Sequence, residues 1–153
     1  MNHYNNRHKG FSLIELMLVV SILSLIIGMT VNGIIGLIQW NQLNQAAEAI
    51  SCELKNAQSR AFYEGKYYKI QFWPTLNRYR VYQQAELVED RMLEPIELYD
   101  TNFTDDHVYF YPNGVPGQGG TITLKNHRGK TRYVIMTPVT ARVRISSEPP
   151  ENW

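Results

Sequence analysis

The side chains that could do chemistry in this chain are few and lie far apart. One carboxylate, Glu15, stands near the start of an apolar run that extends to Ile38. An ionised carboxylate at the centre of a lone membrane helix costs about 2.5–3.5 kcal/mol on insertion scales, and less near an end, so such a residue is expected to face a partner. Near the other end of the chain, Arg142 and Arg144 flank Val143, and strand alternation puts both guanidinium groups on one face. Arg128, Lys130 and Arg132 fall in or beside the preceding turn and extend the patch. Such a cluster can hold DNA phosphates without reading sequence, with strongly salt-dependent affinity. It can equally pair with the acidic stretch from Glu86 to Asp106, in the same chain or a neighbouring one.

No catalytic constellation accompanies these residues. Of the four histidines, His3 and His8 fall in the first ten residues, and neither His107 nor His127 has a metal-ligand spacing to Cys52 or to a second His. Asp100, Asp105 and Asp106 are a candidate cation cluster, but their spacing does not match an EF-hand loop. A single cysteine allows no intrachain disulfide; Cys52 lies on a predicted helix and reads as a small packing residue rather than a reactive thiol. The expectation is a protein that is not an enzyme and uses no cofactor or metal.

The elements that position these residues follow from the hydrophobic pattern. A helix from Phe11 to Ile38 is roughly 40 Å long, more than the ~30 Å hydrocarbon core of a bilayer. It contains Gly28, Gly33 and Gly36, with Thr30 and Asn32 among them, which allow close helix approach or local loosening. Arg7 and Lys9 precede the run and no Lys or Arg follows until Lys55, which places the N-terminus in the cytoplasm and the rest outside. A secretory signal would carry a small-residue cleavage site after the run, and none follows Ile38. A plain signal anchor stays open. Beyond Gln39 the helix turns amphipathic: Leu43, Ala47, Ile50, Leu54, Ala57 and Ala61 recur at alternating spacings of four and three, and Glu64-Gly65 marks the end.

From Lys66 the period becomes two. Tyr68, Ile70 and Phe72 alternate with polar neighbours; Pro74 to Asn77 is a turn; Tyr79 and Val81 continue a hairpin. A strand is expected near Pro95 to Tyr99 and another at Val108 and Phe110. The glycine-rich stretch from Asn113 to Gly120 is a loop. Ile122 and Leu124, then Tyr133 and Ile135, are expected to face inward from two strands, and Val143 and Ile145 from a last one. The expected architecture is α+β, one long helix packed on antiparallel sheet. Of 153 residues, about 115 follow the apolar run, enough for one small domain. The formal net charge of +1 hides an asymmetry. Between Glu86 and Asp106 eight acids face Arg91 alone, and between His107 and Ser147 there is no acid.

Lys9-Gly10-Phe11-Ser12-Leu13-Ile14-Glu15 resembles the type III signal of type IV prepilins and pseudopilins. The resemblance implies cleavage between Gly10 and Phe11 by a prepilin peptidase, N-methylation of Phe11, and retention of the apolar helix. Glu15 then becomes the fifth residue of the mature chain, placed to meet the cationic amine of a neighbouring subunit and fix axial register. Phe110-Tyr111-Pro112-Asn113-Gly114, Gly120-Thr121-Ile122-Thr123-Leu124, Arg132-Tyr133-Val134-Ile135 and Ala141-Arg142-Val143-Arg144-Ile145 are similar to the tail of GspH/FimT-type minor pseudopilins and of ComGD-type competence minor pilins. The chain departs from that pattern at Ala141, where the family usually has Gly before the Arg-x-Arg segment.

The implied organisation is a leader at 1–10, a transmembrane half-helix at 11–38, a soluble half-helix at 39–64, a β-rich pilin-like domain at 66–147 and a tail at 148–153. The implied role is a minor subunit of a type IV pilus-like filament or type II secretion pseudopilus, single-pass in the inner membrane with its C-terminal domain outside. Its implied partners are the peptidase, other pilin subunits and an inner-membrane assembly platform. A DNA-binding competence subunit acting through the basic C-terminal strand is the alternative.

Overall fold

Leu43, Ala47, Ile50, Leu54, Ala57 and Ala61 lie on one face of helix α1 (Leu13–Glu64), and all six are buried. The off-stripe positions Asn41, Gln45, Glu48, Lys55 and Ser59 are exposed. The computed structural model describes residues 12–150, and the backbone alone at 29–32. The leader, Gly10, Phe11, Thr30, Asn32 and the last three residues of the tail therefore lie outside the described residues or side chains. The helix passes through two compact units, residues 1–37 and residues 38–153.

In the first unit the described part of α1 is apolar and exposed, with Leu13 77 % and Ile14 75 % accessible. It is long and apolar enough to cross a membrane by length and composition. Its serines leave no free hydroxyl: Ser21 Oγ donates to the Met17 carbonyl and Ser24 Oγ to the Val20 carbonyl, both at 2.8 Å. Bonding a hydroxyl back into the helix is how Ser is accommodated in an apolar setting.

In the second unit the buried stripe of α1 packs against residues from two four-stranded antiparallel sheets. The first has the order β3 (Glu86–Met92), β2 (Arg78–Gln83), β1 (Tyr68–Trp73), β5 (His107–Phe110). The second has the order β4 (Glu97–Thr101), β6 (Gly120–Lys125), β7 (Thr131–Met136), β8 (Val143–Ser146). Fully burying a Leu, Ile or Phe is worth about 1.5–3 kcal/mol. The stripe is therefore the strongest tie between helix and sheets, and Leu54→Ala would cost about 2–5 kcal/mol. The helix stops at Gly65, whose φ of +63° is the left-handed conformation that suits glycine at a helix end.

The β1–β2 hairpin has the expected inward set: Tyr68, Ile70, Phe72, Tyr79 and Val81 are buried. Its turn is a 3₁₀ segment, Pro74–Leu76, closed by Asn77 in the left-handed region. Phe72 stacks on Phe103, with ring centroids 5.8 Å apart. Gly120 opens β6 so close to Phe103 that a Cβ there would lie 2.7 Å from the ring, which is why glycine begins that strand.

Four expectations need correction, among them Ile145, expected to face inward but exposed, and one strand was not expected at all. The acidic stretch holds a strand, β3, whose residues are exposed on both faces apart from half-buried Glu89, so no apolar alternation marked it. The strand expected at Pro95 to Tyr99 runs instead over Glu97–Thr101. On β7 the inward residues are Val134 and Met136, not Tyr133 and Ile135: Val134 is the register partner of Ile122, whose side chain is in the core. Val134, Ile135 and Met136 are all buried, so the sequence offered no contrast between faces, and a one-residue slip reverses the assignment. Cys52 is exposed, because the stripe runs through Ile50 and Leu54 and leaves it on the flank, where Asn56 Nδ2 sits 3.6 Å from its sulfur.

Candidate functional site

Glu15 lies in the first turn of α1, exposed among exposed Leu13, Ile14, Leu16 and Met17. Among the described residues no group hydrogen-bonds or ion-pairs with it. A carboxylate in a helix's first turn is favoured by the macrodipole, but in an apolar surround that leaves most of its desolvation uncompensated.

The basic residues of the C-terminal third are divided between two faces. The β6–β7 turn is built on Asn126, a buried side chain whose Oδ1 accepts from the backbone N–H of Arg128 at 3.0 Å and of Lys130 at 2.9 Å. Gly129, at φ +77°, completes the turn. Arg132 pairs in register with core residue Leu124 and so points to the helix side of its sheet. Its Nε donates to Asn44 Oδ1 at 2.7 Å, a second guanidinium nitrogen donates to Ser147 Oγ, and its plane lies 4.2 Å from the Trp40 ring centroid. Lys130 Nζ lies 5.1 Å from the same ring.

Arg144 pairs in register with Ile135 and takes the opposite face. Arg142 precedes β8; its backbone exchanges hydrogen bonds with Thr137, and its side chain is exposed. Among the described residues neither Arg142 nor Arg144 makes an ion pair. The structure thus brings Lys130 and Arg132 together on Trp40, and leaves Arg144 on the other face of edge strand β8 with Arg142 exposed just before it. Trp40, Asn44 and Ser147 are the partners that sequence reasoning missed. The only hint was the position of Trp40 directly after the apolar run.

Some of the acids are engaged elsewhere. Asp90 receives Arg80 Nε at 2.9 Å and Arg78 at 3.4 Å, and Arg91 bonds Glu89 within β3. β4, carrying Glu97 and Asp100, and β8 are opposite edges of one sheet. Asp105 and Asp106 offer their carbonyls to Gln71 Nε2 at 2.9 and 3.2 Å, and Asp106 Oδ1 accepts from Thr101 at 3.3 Å. Among the described residues no group of three or more His, Cys, Asp or Glu is placed to hold a metal.

Burial pushes the Tyr79 hydroxyl up to about 12, with Glu53 and Glu89 adding to it. Burial, then the nearby Glu89, also raises the Glu53 carboxyl. Both mark packing between the helix and the first sheet.

Ala141 is the turn residue before Arg142. It is buried and has φ of +49°, the left-handed region that favours glycine. The backbone geometry that a glycine would adopt freely is thus kept with an alanine.

The family model for the prokaryotic N-terminal methylation motif matches residues 5–31. The type IV minor pilin FimU of Pseudomonas aeruginosa superposes with a TM-score of 0.61 at 16 % identity, over 74 % of this chain and 96 % of that one. The fold is a pilin fold. The minor pseudopilin EpsH from the type 2 secretion system of Vibrio cholerae shares this pilin fold, with a TM-score of 0.56 at 11 % identity over 69 % of this chain and 96 % of that one. A second crystal form of FimU gives 0.57 at 16 % identity, over 71 % of this chain and 98 % of that one. No curated protein matches this chain. The methylation motif and the pilin fold together bear out the resemblance to type IV pilins and pseudopilins.

Proposed function

We propose that this chain is a minor subunit of a type IV pilus-like filament, processed between Gly10 and Phe11, methylated on Phe11 and held by its apolar helix in the inner membrane before assembly. The observation that carries the reading is a prokaryotic N-terminal methylation motif at residues 5–31 leading into a long helix on a pilin fold. The exposed apolar part of α1 supports it: surface of that extent needs lipid or other helices around it. In the filament Glu15 meets the Phe11 amine of an adjacent subunit, each partly offsetting the other's desolvation. The partners are a prepilin peptidase that also methylates, other pilin subunits and an inner-membrane assembly platform. Its role is structural rather than enzymatic. Recovery of the tagged chain in sheared filament fractions tests the assignment; a chain confined to membranes, in cells whose filaments are otherwise normal, contradicts it.

A second reading is favoured by one observation. Arg142 and Arg144 are exposed on or beside an edge strand and, among the described residues, make no ion pair. On this reading the chain is the DNA-binding minor pilin of a competence pilus, its two guanidinium groups holding backbone phosphates during uptake. The rival is a pseudopilus subunit of a secretion system, in which the same pair meets acids of a neighbouring subunit.

A further inference from the structure

Trp40 and the β6–β7 turn form a second charged feature that the filament reading leaves unused. From Lys125 to Arg132 the chain carries Lys125, Arg128, Lys130 and Arg132 and no acid. Lys130 and Arg132 stack on Trp40, and Arg132 is locked to the helix through Asn44. On the helix itself no charged residue occurs between Ile38 and Glu48. The positive charge at this level of the unit is therefore supplied by the turn.

Position along the helix says what that charge meets. From Leu13 to Trp40 helix α1 measures roughly 42 Å, which matches the ~40–45 Å of a bilayer including its headgroup layers. Trp40 thus falls in the far headgroup layer, the level where indole rings concentrate, and the side chains stacked on it share that level. Lys and Arg reach phosphate oxygens from there while their methylene stems lie against apolar surface.

We infer that the Lys130–Arg132 end of the β6–β7 turn, together with Trp40, is a membrane-surface contact that binds the phosphates of anionic phospholipid. The contact rests on the proposed spanning role of the apolar helix. It holds the pilin domain against the bilayer before assembly and is broken when the subunit enters a filament. It also takes Lys130 and Arg132 out of any DNA-binding patch.

The test uses the full chain with a Cys52→Ser background and a fluorophore on His127→Cys, reconstituted in vesicles. One set is phosphatidylcholine alone; the other contains one part phosphatidylglycerol to two parts phosphatidylcholine. Both carry a trace of headgroup spin-labelled lipid as quencher. Quenching should be at least about twofold greater with phosphatidylglycerol and should fall towards the neutral-lipid value at high salt. Lys130→Glu should remove most of that difference, and Lys130→Gln about half of it. Flotation after a carbonate wash separates the spanning role from the surface contact. A chain that does not float overturns both the spanning role and this contact. A chain that floats with quenching indifferent to lipid charge, or quenched only when duplex DNA is added, overturns the contact alone.

Discussion

The guanidinium of Arg132 lies 4.2 Å from the Trp40 ring centroid while its Nε donates to Asn44 at 2.7 Å, so one side chain ties strand β7 to helix α1 by two different forces. The planar, forked guanidinium can stack and donate in the same pose; an ammonium cannot do both with that geometry. Arg132→Lys should therefore lower the stability of the domain by about 1–2 kcal/mol, combining a lost hydrogen bond with a weakened ring contact. Thermal unfolding of the full chain in detergent measures this. A loss no greater than that of Lys130→Gln would show that the tie is incidental.

The Ala141 turn predicts a steep response to side-chain shape. A β-branched residue at φ +49° is strained, and this position is also buried. Ala141→Val should destabilise by about 2–3 kcal/mol from strain and overpacking together. Ala141→Gly should be nearly neutral, because relief of φ strain offsets the lost methyl burial and the added freedom of the unfolded chain. Denaturant midpoints for the pair check both; equal effects would mean the turn relaxes to another conformation.

Glu53 predicts a pH effect of definite sign. Its carboxyl is raised in the folded state, first by burial and then by Glu89. A carboxyl raised on folding favours the native state at low pH and weakens it as pH climbs from the unfolded value through the folded one. Glu53→Gln should therefore stabilise the protein at neutral pH, and the gain should shrink below the ordinary carboxylate range. Melting curves for both proteins at pH 7.0 and at acid pH would show it; a gain that persists unchanged in acid would mean that charge is not the cause.

How much of this was legible beforehand depended on contrast between faces. The Leu43–Ala61 stripe and the β1–β2 hairpin were readable because each sets buried apolar residues against a wetter face, exposed on the helix and half-buried on the hairpin. Strand β3 was not, because both its faces are wet, and the facing of β7 was misjudged because both its faces are dry at Val134 to Met136. At the candidate site, strand alternation separated Arg144 from Val143, as pairing with Ile135 and Met136 shows. It could not show that Arg132, 88 residues from Asn44, belongs to the helix side. Long-range pairings of that kind leave no periodic trace.

If Arg142 and Arg144 hold DNA, replacing both with Ala should reduce the slope of log affinity against log salt by roughly 1.8, about 0.9 per phosphate contact. Loss of Lys130 should change the slope little. An unchanged slope in the Arg142→Ala/Arg144→Ala protein would end the DNA reading of that strand.

Glu15→Leu should still enter the membrane, since it removes the one acid of the apolar segment, yet it should assemble into filaments poorly. Normal incorporation of that variant would contradict the pairing of Glu15 with a neighbouring amine.

The intact mass of the chain purified from membranes, with and without a prepilin peptidase, shows whether it is processed as a prepilin. The peptidase should remove Met1 to Gly10, and the new Phe11 terminus should gain one methyl group. A full-length, unmethylated chain in the presence of active peptidase would contradict this and leave a plain membrane anchor carrying a pilin fold.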